Sequence, residues 1–252
     1  MRKTIRRLLI VLCLALLSYS GWQLYRYGRE SLQSSTVYTA LAEEAIPSPV
    51  VSSDPSEQEE AESLFPQIDF DALTQINEDT VAWLSCEGTP INYPVVQGTD
   101  NAYYLTHLFD GTENANGCLF LDSRVACDFS GGNSIIYGHY RKNGSMFAAL
   151  AGYKEQSYYD QYPQMLLITP ESAYTVELFS GYVTGTDGQA WQTVFSDEEA
   201  FVQWLGSVAD ASMFQSDVEP MASDRILTLS TCSYEFENAR FVVHGVLRPL
   251  SN

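Results

Sequence analysis

Cysteine and histidine are scarce in this chain, which narrows where nucleophilic chemistry can sit. Cysteines stand at positions 13, 86, 118, 127 and 232, and histidines at 107, 139 and 244. A thiol attacks only as the thiolate, so it needs a cation or base beside it; a histidine meets that need and later returns the proton. Cys232 closes the β-rich run Arg225-Ile226-Leu227-Thr228-Leu229-Ser230-Thr231-Cys232, and a polar loop then leads to the strand Arg240-Phe241-Val242-Val243. A thiol ending a strand is presented at a rim, although the same spacing suits a buried packing cysteine.

His139 occupies a comparable place. It closes the apolar run Ser134-Ile135-Ile136-Tyr137-Gly138 and opens the polar loop Tyr140-Arg141-Lys142-Asn143-Gly144. His107 lies among aromatic residues, which suits a packing residue, and His244 lies inside the last strand. Arg240 is one of seven basic residues beyond position 30, at the head of the strand paired with the one carrying Cys232. A guanidinium there suits a carbonyl or a developing oxyanion; the competing reading is a surface ion pair with Glu235 or Glu237. There is no C-x-x-C pair and no two-histidine motif, so no metal site is expected. Cys118 and Cys127 flank residues 119–126, and a disulfide staple and two free thiols both fit that spacing.

Short β-rich runs that could position these groups cover 91–96, 118–121, 134–137, 165–169, 174–183, 226–230 and 241–247. Seven or eight such strands separated by turn residues predict a barrel or sandwich. Helical spacing is read at 70–76, at 77–84 as a second short helical segment, at about 145–153, and at 196–207, where Ser196 is the candidate cap. The fold class is mostly β with accessory helices.

The chain carries 13 Lys+Arg against 32 Asp+Glu, a formal charge of -19. Nucleic-acid binding is set aside, since it requires clustered basic residues to displace phosphate counterions. Residues 1–30 hold six of the basic residues and one acid. Within them, 8–25 is an uncharged apolar run that as a helix would extend about 27 Å, nearly a bilayer core. A cleaved signal peptide is the competing reading, but its apolar region is usually shorter and ends in small residues, so an uncleaved signal anchor is preferred. The preceding basic residues favour a cytoplasmic N-terminus with the remainder exported. Residues 31–63 are rich in Ser, Pro and Glu without Lys or Arg, and are read as a disordered tether. The folded domain is expected to span 64–252.

Together the residues resemble a sortase. The resemblance rests on Tyr137-Gly138-His139 with Gly144-Ser145-Met146-Phe147, on Thr228-Leu229-Ser230-Thr231-Cys232, and on Arg240-Phe241-Val242-Val243, in that order. Class B is pointed to by Ile76-Asn77-Glu78-Asp79-Thr80-Val81-Ala82-Trp83-Leu84, Tyr93-Pro94-Val95-Val96-Gln97, and Asp100-Asn101-Ala102-Tyr103-Tyr104-Leu105 with Gly117-Cys118-Leu119-Phe120-Leu121-Asp122. The resemblance implies an eight-stranded β-barrel with two N-terminal helices and a helical insert before the Cys strand. It implies a membrane-anchored cysteine transpeptidase of the Gram-positive cell surface, working without metal or organic cofactor. Cys232 would form a thioester with the sorting motif of a secreted protein, His139 would donate a proton to the departing amine, and Arg240 would steady the oxyanion. A peptidoglycan-precursor amine would then resolve the thioester. Asn101, Leu105, Tyr137 and Ser230 would line the peptide groove. Two other readings are weighed beside it: a wall-cleaving cysteine peptidase or amidase, and a tethered non-enzymatic binding domain. In the first of these the cysteine normally precedes the histidine and begins a helix, whereas here His139 lies 93 residues before Cys232.

Overall fold

The computed structural model describes residues 2–46 and 66–250. Its body is a closed barrel of eight strands: β1 (Thr80–Ser85), β2 (Asn92–Val96), β3 (Leu119–Leu121), β4 (Asn133–Tyr137), β5 (Gln164–Ile168), β6 (Ala173–Thr184), β7 (Ile226–Cys232) and β8 (Arg240–Pro249). The order around the barrel is β1-β2-β3-β4-β7-β8-β6-β5, with β5 returning to β1. The β2/β3 and β4/β7 pairs are parallel and the others antiparallel. Closure leaves no free sheet edge and buries one apolar cluster that includes Leu84, Val95, Leu121, Ile136, Leu167, Leu229 and Val243.

Seven strands lie where the alternation predicts them, and the eighth corrects the expected helix at 77–84. Thr80–Ser85 forms β1, pairing with β2 through a short hairpin and with β5 across the closure. Its helix-like spacing of apolar residues arises because both faces are covered: Ala82, Trp83 and Leu84 are all buried in succession. Trp83 also donates its indole N–H to Asn92 Oδ1 at 2.7 Å, fixing the hairpin register.

Among the described residues, four α-helices accompany the barrel. α2 (Phe70–Ile76) is capped by the Asp69 carboxylate, and α3 (Gln156–Gln161) follows a 3-10 segment at Phe147–Lys154. α4 (Glu198–Asp210) is capped by Asp197 rather than Ser196, the Asp197 side chain accepting from the Ala200 N–H at 2.8 Å. Its Phe201, Trp204, Leu205 and Val208 stripe covers a second apolar cluster with Phe179, Ile226 and Val246.

α1 (Arg2–Ala45) corrects the expected domain plan. Its first part contains an 18-residue window apolar enough to cross a membrane, none of it buried. The helix then continues through residues 31–45, where composition alone predicts tether. Ser34, Tyr38, Leu41 and Ala45, spaced three and four apart, form a buried stripe against the barrel and α2. Serine-rich composition hides that stripe, because small and aromatic residues at helical spacing pack even where Lys and Arg are missing. Residues 47–65, which hold the rest of the expected tether and the boundary at 64, lie outside the described residues.

Candidate active site

Three strand ends deliver the candidate chemistry to one rim. β7 ends on Cys232, and its register with β8 sets Cys232 opposite Arg240. Opposite residues in such a pair project to one face with Cβ atoms about 4.5–5.5 Å apart. β4 runs parallel to β7 with Tyr137 beside Ser230, and the Gly138 N–H reaches the Ser230 carbonyl at 3.1 Å. His139 and Cys232 each follow two residues beyond that paired position, which keeps both on its side of the pleat. Glycine at 138 is a packing requirement: a Cβ there would stand 2.5 Å from Leu119 Cδ2 and 2.6 Å from Phe147 Cδ2.

Cys232, His139 and Arg240 line a cavity of about 680 Å³, together with Asn101, Leu105, Tyr137 and Ser230. Every site residue expected from the sequence is therefore brought into one lining. Among the five cysteines only Cys232 reaches it; Cys86 and Cys118 are buried elsewhere and Cys127 is exposed. Cys118 and Cys127 are free thiols, so the staple reading is not realised. Burial pushes the Cys118 thiol up to about 12, which keeps it protonated and inert at neutral pH.

The His139 ring is oriented by backbone. Nε2 lies 2.7 Å from the Leu105 carbonyl oxygen. A carbonyl only accepts, so Nε2 carries hydrogen and Nδ1 is the nitrogen left to gain or lose a proton. Burial holds the imidazole below its ordinary pKa; the Leu105 hydrogen bond opposes this by favouring the charged ring, and Arg141 works with burial. The other histidines serve packing, His107 stacked on Tyr103 at 3.9 Å between ring centroids and His244 buried beneath α4 against Trp204.

Arg240 donates from Nη1 to the neighbouring Ala239 carbonyl at 3.0 Å. Glu235 is engaged instead by Lys154 and the Ser233 hydroxyl. Among the described residues Arg240 has no carboxylate partner, so the ion-pair reading gives way to a guanidinium turned over to the cavity lining.

The groove residues are tied down individually. Asn101 Oδ1 accepts from the Ser123 N–H at 2.8 Å, the Tyr137 hydroxyl donates to Asp122 at 2.9 Å, and the Trp191 indole donates to Ser230 Oγ at 3.1 Å. Burial would raise the Asp122 carboxyl, but hydrogen bonds from Arg124, Asn101 and Tyr137 outweigh it and bring the pKa to about 2. Arg124 grips Asp122 bidentately at 2.9 and 2.6 Å and adds a second cation to the cavity lining. Sequence reasoning missed Arg124 and Trp191. The Asp122-Ser123-Arg124 run after an apolar strand carried a usable signal for the first. Trp191 had none: it arrives on the loop between β6 and α4, held by Asn133 donating to the Gln192 carbonyl at 2.9 Å.

Comparison with known proteins agrees with this fold. A family model described as the Sortase domain matches residues 84–248. Sortase B of Listeria monocytogenes is 38% identical over 177 residues, covering 69% of this chain and 72% of that protein. A Staphylococcus aureus sortase B–substrate complex superposes with a TM-score of 0.76 at 30% identity, covering 88% of this chain and 100% of that one. A sortase B complexed with triglycine gives 0.75 at 30% identity, with coverage of 88% and 100%.

Proposed function

We propose, for a chain that belongs to the sortase family and is a class B-like cysteine transpeptidase, that Cys232, His139 and Arg240 are its catalytic residues and that secreted proteins bearing a C-terminal sorting motif are its donors. The observation that carries the reading is the convergence of these three side chains, from three strands, on one cavity large enough for a peptide segment. The Cys232 sulfur attacks the scissile carbonyl, and the Arg240 guanidinium stabilises the oxygen that becomes negative. Collapse of that intermediate breaks the C–N bond and leaves an acyl thioester, while the His139 Nδ1–H gives its proton to the departing amine. The acceptor amine then attacks the thioester and loses a proton to His139, so atoms and charge return to the starting state with the donor joined to a new amine.

A peptidoglycan-precursor amine is the acceptor in this reading. Support comes from the relative crystallised with triglycine, a short peptide whose free amine has the required chemistry. The apolar part of α1 is the membrane anchor, with the barrel outside; its length and the basic residues before it support that topology. A packing role for Cys232 is disfavoured by its partial exposure in the cavity. The test is mass spectrometry of the purified full chain after incubation with candidate sorting peptides. A peptide-sized adduct on Cys232 that is released by triglycine is the expected result, and its absence across the panel, with Cys232 still reactive to an alkylating agent, overturns the reading.

A further inference from the structure

Residues 27–38 of α1, which run into the segment expected to be a tether, make polar and cation–π contacts with the loops that flank His139. The Tyr38 hydroxyl donates to the Gly117 carbonyl at 2.8 Å in a buried position. Gly117 has a positive φ of 62°, and a Cβ there would stand 2.6 Å from the Tyr104 carbonyl oxygen and 3.0 Å from both His139 Cδ2 and the Leu105 carbonyl oxygen. The Gly117 backbone is thus wedged against the imidazole and against the carbonyl that fixes its tautomer. Asn114 and Asn116, in the same turn, donate to the Glu30 carbonyl at 3.0 and 3.3 Å.

The loop that follows His139 is gripped from the same helix. Asn143 donates to the Ser31 hydroxyl at 2.9 Å, and the Arg141 guanidinium lies over the Tyr27 ring at 5.6 Å while donating to the Ala115 carbonyl at 3.0 Å. The loop closes on itself where the Phe147 N–H meets the His139 carbonyl at 3.1 Å. Its Met146 N–H donates to Tyr93, whose ring packs edge-on against Tyr38 at 5.2 Å. Two separate loops that define the place of His139 therefore share one support, the barrel-facing stripe of α1. An anchor needs no such contacts, because a flexible connection would hold the barrel at a membrane equally well.

We propose that the part of α1 from Tyr27 to Ala45 is a positioning element of the active site, setting the His139 ring and its hydrogen bond to Leu105 through Tyr38, Ser31 and Asn143. The inference rests on the reading of His139 as the proton-transfer group. None of these α1 residues lines the catalytic cavity, so they act through His139 and not on the substrate. Loosening Gly117 weakens the hydrogen bond that favours the charged ring, so His139 should titrate at lower pH. The other charged or titratable groups around His139 are Arg141 on its own loop, Cys232, Arg240, Tyr137 and the Asp122-paired Arg124 in the cavity lining, and Tyr104 behind Gly117, all of which the substitutions below leave in place.

The test uses the full chain in detergent, with Tyr38→Phe, Ser31→Ala and the rescue variant Ser31→Thr, which restores a hydroxyl. With only three histidines in the chain, NMR titration of isotope-labelled imidazoles reads His139 directly, while sorting-peptide turnover gives kcat and KM. The expected result is a downward displacement of the His139 titration in Tyr38→Phe and Ser31→Ala. It should come with kcat lower by roughly three- to tenfold, as a slightly misplaced catalytic group would give, an unchanged KM, and recovery in Ser31→Thr. An unmoved titration overturns the proposal, whether kcat is unchanged or has fallen through general loosening. Full turnover by Cys232→Ala would instead defeat the catalytic assignment, and the titration would still report whether α1 sets the His139 ring.

Discussion

Lowering the pH should destabilise this protein through His244, a residue outside the chemistry. The ring is completely buried, and Phe179, Tyr182 and Trp204 surround it. Its hydrogen bonds run in one direction. Asn133 commits its amide to the Ala190 and Gln192 carbonyls, so its Oδ1 accepts from the Thr228 hydroxyl at 2.6 Å. The Thr228 oxygen must then accept, from His244 Nδ1–H at 2.8 Å, which leaves Nε2 to accept from the Tyr182 hydroxyl at 3.3 Å. The neutral ring satisfies every partner, and burial pushes its pKa down to about 3. An unfolded histidine titrates near 6.5. Above that pH both states are neutral and the native state loses nothing. As pH falls below about 6.5 the unfolded chain takes up a proton that the folded chain refuses, and stability declines until the folded pKa is reached. Between pH 7 and 5 the loss from this one group is about 2 kcal/mol, or about 4–8 °C in the unfolding midpoint for a domain of this size. Asp122 and Glu235, both at about 2, contribute only at more acidic pH. Tryptophan-fluorescence melts of the full chain in detergent should show this drop. His244→Asn, which keeps a donor for Thr228 and cannot titrate, should have a smaller drop by that amount; His139 contributes equally to both proteins and cancels. Equal drops in the two proteins would refute the reasoning.

The remaining predictions concern the site and the anchor. Cys232→Ala should abolish cleavage and transfer of a quenched sorting peptide, whereas Cys86→Ala and Cys118→Ala should retain substantial activity, since neither thiol reaches the cavity. Arg240→Lys keeps the charge and loses the planar fork; kcat should fall by about 10²-fold, the scale of a lost oxyanion donor, and a near-normal kcat would remove Arg240 from the transition state. The full chain should fractionate with membranes, keep its N-terminal residues and lose the barrel to protease added to intact protoplasts. A mature N-terminus between residues 20 and 40 in the culture medium would refute the anchor.

Local pattern made most of the barrel legible. Seven strands alternate or run apolar between turn residues, and the α4 stripe repeats at helical spacing, so each element announces itself within its own length. β1 did not, because Ala82-Trp83-Leu84 are apolar in succession and only their partners, β2 on one side and β5 on the other, decide for a strand. The cap of α4 moved by one residue because Ser196 and Asp197 are both competent, and the carboxylate is the one aimed at Ala200. The helical course of 31–45 was hidden for a different reason. Its buried residues, Ser34, Tyr38, Leu41 and Ala45, do not form a strongly apolar run, and their burial becomes favourable only against the particular barrel surface they meet.

The site was legible in proportion to how much of it is carried by neighbours in sequence. Cys232 and Arg240 stand eight residues apart on one hairpin, and a strand–loop–strand pattern is enough to set them opposite each other. His139 reaches the same rim through a parallel pairing of β4 with β7, which no hairpin imposes and no local spacing prints. Its partners are more remote still: the carbonyl of Leu105 orients the ring, the turn at Gly117 backs it, and Tyr38 holds that turn from 79 residues away. Residue type could nominate the histidine, since few groups titrate near neutrality. Only the folded chain determines which of its nitrogens is free, and that choice follows from a backbone oxygen whose identity the sequence leaves unmarked. The proposed nucleophile and cation are therefore placed by a hairpin, whereas the proposed acid–base group is placed by the whole barrel and by the helix packed against it.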